Sequence, residues 1–87
     1  MEKDLKRLVE LAKTGDQQAI AQLYEQTSRR AYYLAKQLVK DEDQAQDIVQ
    51  DAYVKVFTNL PLLEQVENFQ GWLNTIVVNK SKDYLKK

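Results

Sequence analysis

Cysteine and histidine are both missing from this 87-residue chain. Without cysteine there is no disulfide framework and no thiolate chemistry. Without histidine, imidazole metal sites and imidazole acid–base catalysis fall away as well. Proline occurs once and glycine twice, so chain breakers are few and each is informative. The longest stretch free of charge, Asn68 to Asn79, has 12 residues, against about 20 for a helix that spans a bilayer. Met1-Glu2-Lys3-Asp4 is charged and leads into an amphipathic segment, which is not the pattern of a secretory signal. No membrane partner and no cofactor are expected. What is present is a globular balance, 44% apolar and 30% charged, too apolar for a disordered chain. A chain of this length makes one domain with one core, residues 1–87. Most enzyme classes are disfavoured before any motif is read.

The net charge is zero, but the charges are not evenly spread. Residues 1–40 carry eight basic and five acidic side chains, residues 41–67 one basic (Lys55) and seven acidic, and residues 68–87 four basic and one acidic. An acidic middle between basic ends suits two different partners at two faces. It also suits a plain solvated surface, and charge alone favours that simpler explanation.

Helical periodicity runs through the chain. Leu5, Leu8, Val9, Leu11 and Ala12 recur at helical spacing, and Thr14-Gly15 stops that helix. Asp16 is a good N-cap for a second helix over about Gln17 to Val39. Its apolar positions are Ala19, Ile20, Leu23, Tyr24, Thr27, Ala31, Leu34, Ala35 and Leu38. Asp41-Glu42-Asp43 breaks the pattern, and Asp43 is the expected cap of a third helix burying Ala45, Ile48, Val49, Ala52, Tyr53, Val56 and Phe57. Leu60-Pro61 ends it. A loop from Pro61 to Asn68 follows, and Asn68 is expected to cap a fourth helix with Phe69, Trp72, Leu73, Ile76, Val77 and Tyr84 on its apolar face. No strand alternation appears. The expected fold is all-α, a compact bundle of four helices.

Three constellations carry chemistry. Asp47, Gln50 and Asp51 share one exposed face of the third helix, where carboxylates at i and i+4 repel each other. A basic partner would compensate; a solvated acidic face is the simpler explanation, and a metal site lacks a third hard ligand. Asn79, Lys80, Lys82, Asp83, Lys86 and Lys87 lie along the end of the fourth helix. Lysines there suit phosphates, and Asn and Asp can read base edges, yet lysines also favour the helix C-terminus by themselves. Phe69 and Trp72 could stack on unpaired bases, but Trp72 falls beside Leu73 and Ile76 on the apolar face, which points to core packing.

Ala45-Gln46-Asp47-Ile48-Val49-Gln50-Asp51-Ala52-Tyr53 resembles the Ala-Glu-Asp-Leu-Val-Gln-Glu-x-Phe signature of bacterial sigma factors. Trp72-Leu73-Asn74-Thr75-Ile76-Val77-Val78-Asn79, then Asp83-Tyr84-Leu85-Lys86-Lys87, resembles their Trp-Leu-x-x-Ile-Ala-x-Asn…Asp-x-Leu-Arg-Arg signature. Gly15-Asp16-Gln17-Gln18-Ala19…Leu23-Tyr24 is similar to the Gly-Asp-x-x-Ala-Phe-x-x-Leu-Tyr opening of the extracytoplasmic-function group. The matches stand in the right order and cover almost the whole chain.

The resemblance implies the second conserved region of such a factor, a cytoplasmic, non-enzymatic promoter-recognition domain. It implies that the face of Asp47, Gln50 and Asp51 docks on the β′ clamp coiled coil of core RNA polymerase. It further implies that the loop Leu62, Leu63, Glu64, Gln65, Val66, Glu67 and Asn68 captures an unstacked base of the −10 non-template strand of promoter DNA. Asn79 and Asp83 would then sit near bases, and Lys80, Lys82, Lys86 and Lys87 near phosphates. An anti-sigma factor is a further partner such a domain admits. A working factor also carries a second helical domain that reads the −35 element, and these residues are expected to be an excised or truncated portion without it. Two positions depart from the family pattern: the loop is neither basic nor glycine-rich, and Thr75 stands where an arginine is common. The rival reading is a helical protein–protein module with no DNA role. A carboxylate enzyme using Asp47, Asp51 and a metal is remote.

Overall fold

The computed structural model describes residues 2–86. Four helices account for most of them: α1 (Glu2–Lys13), α2 (Gln17–Val39), α3 (Glu42–Asn59) and α4 (Phe69–Leu85). No strand occurs among the described residues, as the periodicity predicts. Two 3₁₀ turns, Leu60–Leu62 and Val66–Asn68, lie between α3 and α4. At 1.5 Å per residue α2 is about 35 Å long, close to the 36 Å long dimension of the molecule. It is the spine against which α1, α3 and α4 all pack.

The sequence of α2 explains that centrality. Its buried residues, Ala19, Leu23, Thr27, Ala31 and Ala35, recur every fourth position. All but Leu23 are small, so neighbouring helices approach closely along that ridge. The large buried side chains come mostly from elsewhere: Val9 on α1, Val56 on α3, Leu60 after it, and Phe69, Leu73 and Val77 on α4. Burying a Val, Leu or Phe of this kind contributes roughly 1.5–3 kcal/mol each. Leu11, Tyr24 and Leu38, expected on apolar faces, stand at the margins of the core and stay substantially exposed.

Two buried hydroxyls are satisfied internally. Ser81 Oγ donates to the Val77 carbonyl at 2.9 Å. Thr27 Oγ1 donates to the Leu23 carbonyl at 2.7 Å and accepts the Tyr53 hydroxyl, which joins α2 to α3. Burial pushes the Tyr53 phenol up to about 12, against the opposing effect of its bond to Thr27.

The first two connections are short and closed by local hydrogen bonds. Gly15 adopts φ 91°. Its N–H donates to the Ala12 carbonyl (3.0 Å) and the Asp16 N–H to that of Leu11 (3.3 Å), a Schellman ending for α1. Asp16 Oδ1 then accepts the Ala19 N–H at 2.9 Å and caps α2 as expected. Lys40 ends α2 in the left-handed region at φ 59°. The cap of α3 is Asp41, not Asp43. Asp41 is extended, and its Oδ1 accepts the Gln44 N–H at 3.0 Å, leaving Glu42 and Asp43 inside the first turn, where the helix dipole favours them. Lys36 Nζ meets Glu42 Oε1 at 3.2 Å across this hairpin, and the contact raises the Lys36 pKa, the hydrogen bond being the larger cause.

Asn68 also departs from expectation. The second 3₁₀ turn runs directly into α4, so Asn68 has φ −92° and ψ 8° and makes no side-chain cap. Its Nδ2 instead donates to Gln65 Oε1 at 2.7 Å.

Candidate functional site

Asp47, Gln50 and Asp51 are all exposed on α3, because Ile48, Val49 and Ala52 take the buried side. The neighbouring helices divide the three. Asp47 and Asp51 line a cleft shared with Lys80, Asp83 and Tyr84 of α4. Gln50 lines a groove on the other flank with Tyr24, Arg29, Tyr32 and Tyr33 of α2. Among the described residues neither carboxylate forms an ion pair. Lys80 is half-buried beside them, whereas Asn79, Lys82, Asp83 and Lys86 are exposed. Lys87 lies outside the described residues.

Along α4, the exposed positions Gly71, Thr75, Asn79, Lys82, Asp83 and Lys86 follow one another at steps of three and four, so they form one continuous stripe. From Thr75 to Lys86 that stripe is about 16 Å long. Its upper end meets the connection from α3.

That connection is held inward at some points and open at others. Leu60 is buried, while Leu63 and Val66 are partly buried against the core. Leu62 is 76% exposed, and Glu64, Gln65, Glu67 and Asn68 face solvent. The seven residues expected to act together therefore split into two anchors and five outward positions. An open cleft of about 540 Å³ lies beneath, lined by Lys55 and Asn59 from α3, Leu62, Leu63 and Glu64 from the connection, and Trp72, Thr75 and Ile76 from α4. Trp72 packs on the core as expected, beside Phe69 with ring centroids 6.0 Å apart, and its exposed part forms a wall of the cleft.

Several residues of this site escaped the sequence reading. Lys55 and Asn59 precede the loop by only a few positions, and Lys55 is conspicuous as the lone base in the acidic middle of the chain. Lys13 could not be found that way. From the end of α1 its Nζ donates to the Leu63 carbonyl, fifty residues away in sequence.

The family model for sigma-70 region 2 matches residues 23–87. The chain belongs to the sigma-70 region 2 family. The region 2 fold is supported by an NMR structure of an engineered region 2 of sigmaE in complex with GTAAAA. It superposes with a TM-score of 0.83 at 32% identity, covering 92% of this chain and 83% of that one. The ECF RNA polymerase sigma factor SigW of Bacillus subtilis is 28% identical over 87 residues, 100% of this chain and 46% of that protein. The ECF RNA polymerase sigma-E factor of Escherichia coli is 33% identical over 78 residues, 90% of this chain and 40% of that protein. This region 2 chain thus spans less than half the length of these relatives, and its likeness to them supports the extracytoplasmic-function group.

Proposed function

We propose that this region 2 domain binds core RNA polymerase and engages the −10 element of promoter DNA during transcription initiation. One observation carries the reading: Thr75 lines the open cleft under the α3–α4 connection and is also a member of the exposed stripe of α4. A cleft with an aromatic wall suits one unstacked base. A stripe ending in Lys82 and Lys86 suits the backbone beyond it. Leu62, Glu64, Gln65, Glu67 and Asn68 form the outer lip that would meet the base, with Leu63 and Val66 as its anchors. Asn79 and Asp83 stand where base edges would pass. Lys80 is better suited to the α3–α4 cleft than to a phosphate.

The exposed ridge of α3 is the dock for the polymerase, with Asp47 and Asp51 on its α4 flank and Gln50 on its α2 flank, the β′ clamp coiled coil supplying the basic surface that two repelling carboxylates call for. Nothing in this scheme needs covalent chemistry; strand opening is driven by binding energy. The place of action is the cytoplasm, where the polymerase works, and no helix among the described residues is long and apolar enough to cross a membrane.

The test pairs two readouts on the 87-residue chain. Asp47→Lys or Asp51→Lys should leave the thermal melt within about 0.5 kcal/mol of the parent, as exposed substitutions do. The same change should weaken core polymerase binding about a hundredfold, roughly 2.8 kcal/mol. Exchanging residues 62–68 for the loop of another family member should change the preferred −10 base and leave core binding alone. Core binding with no −10 strand binding in either form would reduce the domain to a protein-docking module.

A further inference from the structure

We infer that Lys13, on the helix that precedes the family-matched segment, is the positioning residue that sets the shape of the base-capturing connection; the inference rests on the capture reading above. Residues 60–68 contain no glycine and one proline. The local backbone bonds that close the two 3₁₀ turns are Leu63 N–H to the Leu60 carbonyl and Asn68 N–H to the Gln65 carbonyl, both at 3.0 Å, with Phe69 N–H to the Val66 carbonyl leading into α4. Nothing in that set ties the two turns to each other. Between them stand Leu63, Glu64 and Gln65, with Leu63 (φ −70°, ψ 113°) and Gln65 (φ −108°, ψ 95°) extended.

The Leu63 carbonyl falls in this middle piece. Leu63 is partly buried, so its carbonyl needs a donor from within the protein or from ordered solvent. Lys13 Nζ is that donor. The bond is part-buried and charge-assisted, and an ionised donor makes a stronger bond than a neutral one. Its placement gives it leverage. Leu62, Leu63 and Glu64 all line the cleft, so a rotation of the Leu63 peptide would move the side chains on either side of it. The outward side chains Glu64 and Glu67 are anionic and repel phosphates, so the phosphate backbone adds no hold there, whereas α1 supplies one from the protein side.

The test compares Lys13→Met, which keeps the aliphatic stem and removes the donor, with Lys13→Arg, which restores one. Amide exchange at Leu63 and Asn68 reports the hold on the connection. Core polymerase carrying each variant, titrated with −10 single strands differing at one base, reports selectivity. Lys13→Met should speed exchange at both amides and cut discrimination between bases about tenfold, with core binding unchanged and Lys13→Arg recovering most of both losses. Unchanged exchange at Leu63 and Asn68 overturns the inference. So does faster exchange with base discrimination intact, provided that swapping residues 62–68 does change base preference. If that swap changes nothing, the capture reading itself falls, and the specificity role of Lys13 falls with it.

Discussion

The two ends of α3 are joined to the rest of the molecule by opposite means. At its N-terminus, Lys40 and Asp41 turn the chain from α2 to α3 with backbone geometry and one carboxylate. At its C-terminus, nine residues, 60–68, cross to α4, and what fixes them is mostly remote: Leu60, Leu63 and Val66 on the core, and Lys13 from α1. The first connection is a local structure that any pair of antiparallel helices can use. The second is a surface segment shaped by tertiary contacts, the kind of place where binding sites are built on a rigid scaffold. Rigid helices hold the shape, and the irregular segment provides the opening.

The largest expected effect lies at the second connection. Leu60 is 1% exposed and is the first residue after α3. Leu60→Ala should cost about 2–5 kcal/mol, the usual range for a buried leucine, read as a lowered urea midpoint. A cost under about 0.5 kcal/mol, the size of a surface effect, would mean that the connection is held by its backbone after all.

The next effect belongs to the packing of α2 on α3 where Thr27 meets Tyr53, toward the C-terminal end of α3. The Tyr53 phenol is pushed up to about 12 by burial, from an ordinary value near 10. A group with a raised folded-state pKa binds its proton more tightly when folded. Its stabilising contribution is therefore whole below pH 10 and lost as the pH climbs through 12. The slope should approach about 1.4 kcal/mol per pH unit in that window. Chemical denaturation at pH 9 and pH 11.5 checks it, and Tyr53→Phe should flatten the difference. An equal pH response in Tyr53→Phe would remove Tyr53 as its source.

How far each region could be read in the sequence follows the same division. The start of α2 is legible because Gly15 and Asp16 act within a turn of themselves. The cap of α3 was misplaced because Asp41, Glu42 and Asp43 are adjacent acids. In the structure Lys40 takes the left-handed bend and Asp41, next to it, is the one left extended. The stripe on α4 was legible from helical steps alone. The separation of Gln50 from Asp47 and Asp51 was not, because it depends on which neighbour flanks each side of α3. Lys13 had no local signature at all, since its partner is a backbone carbonyl on a distant segment.

Helix caps sharpen this contrast at about 1 kcal/mol. Asp16 and Asn68 are similar short polar residues just before a helix, yet only Asp16, which is extended, accepts a helix N–H, while Asn68 ends a 3₁₀ turn. Asp16→Ala should therefore lose about 1 kcal/mol, and Asn68→Ala less than about 0.5 kcal/mol. Thermal melts of the two variants side by side give the answer. Equal losses would show that Asn68 supports α4 by some route other than its side-chain bond to Gln65.

The smallest effect, and the only gain, is expected at Lys40. A residue with a Cβ in the left-handed region carries a strain of roughly 1–2 kcal/mol, and Lys40 at φ 59° is the one non-glycine there among the described residues. Glycine removes that strain but loses more backbone freedom on folding, about 0.5–1 kcal/mol. Lysine at a helix C-terminus also contributes a few tenths of a kcal/mol through the dipole, which glycine gives up. Strain relief of this size leaves Lys40→Gly ahead by about 0.5 kcal/mol, a rise in melting temperature of roughly 2–4 °C for a domain of this length. The bond from the residue-40 N–H to the Lys36 carbonyl, 2.8 Å here, should persist, since it belongs to the backbone. A lower melting temperature would mean that the Lys40 side chain stabilises the hairpin by more than the strain it carries, and that the turn between α2 and α3 is less purely a matter of backbone than its geometry indicates.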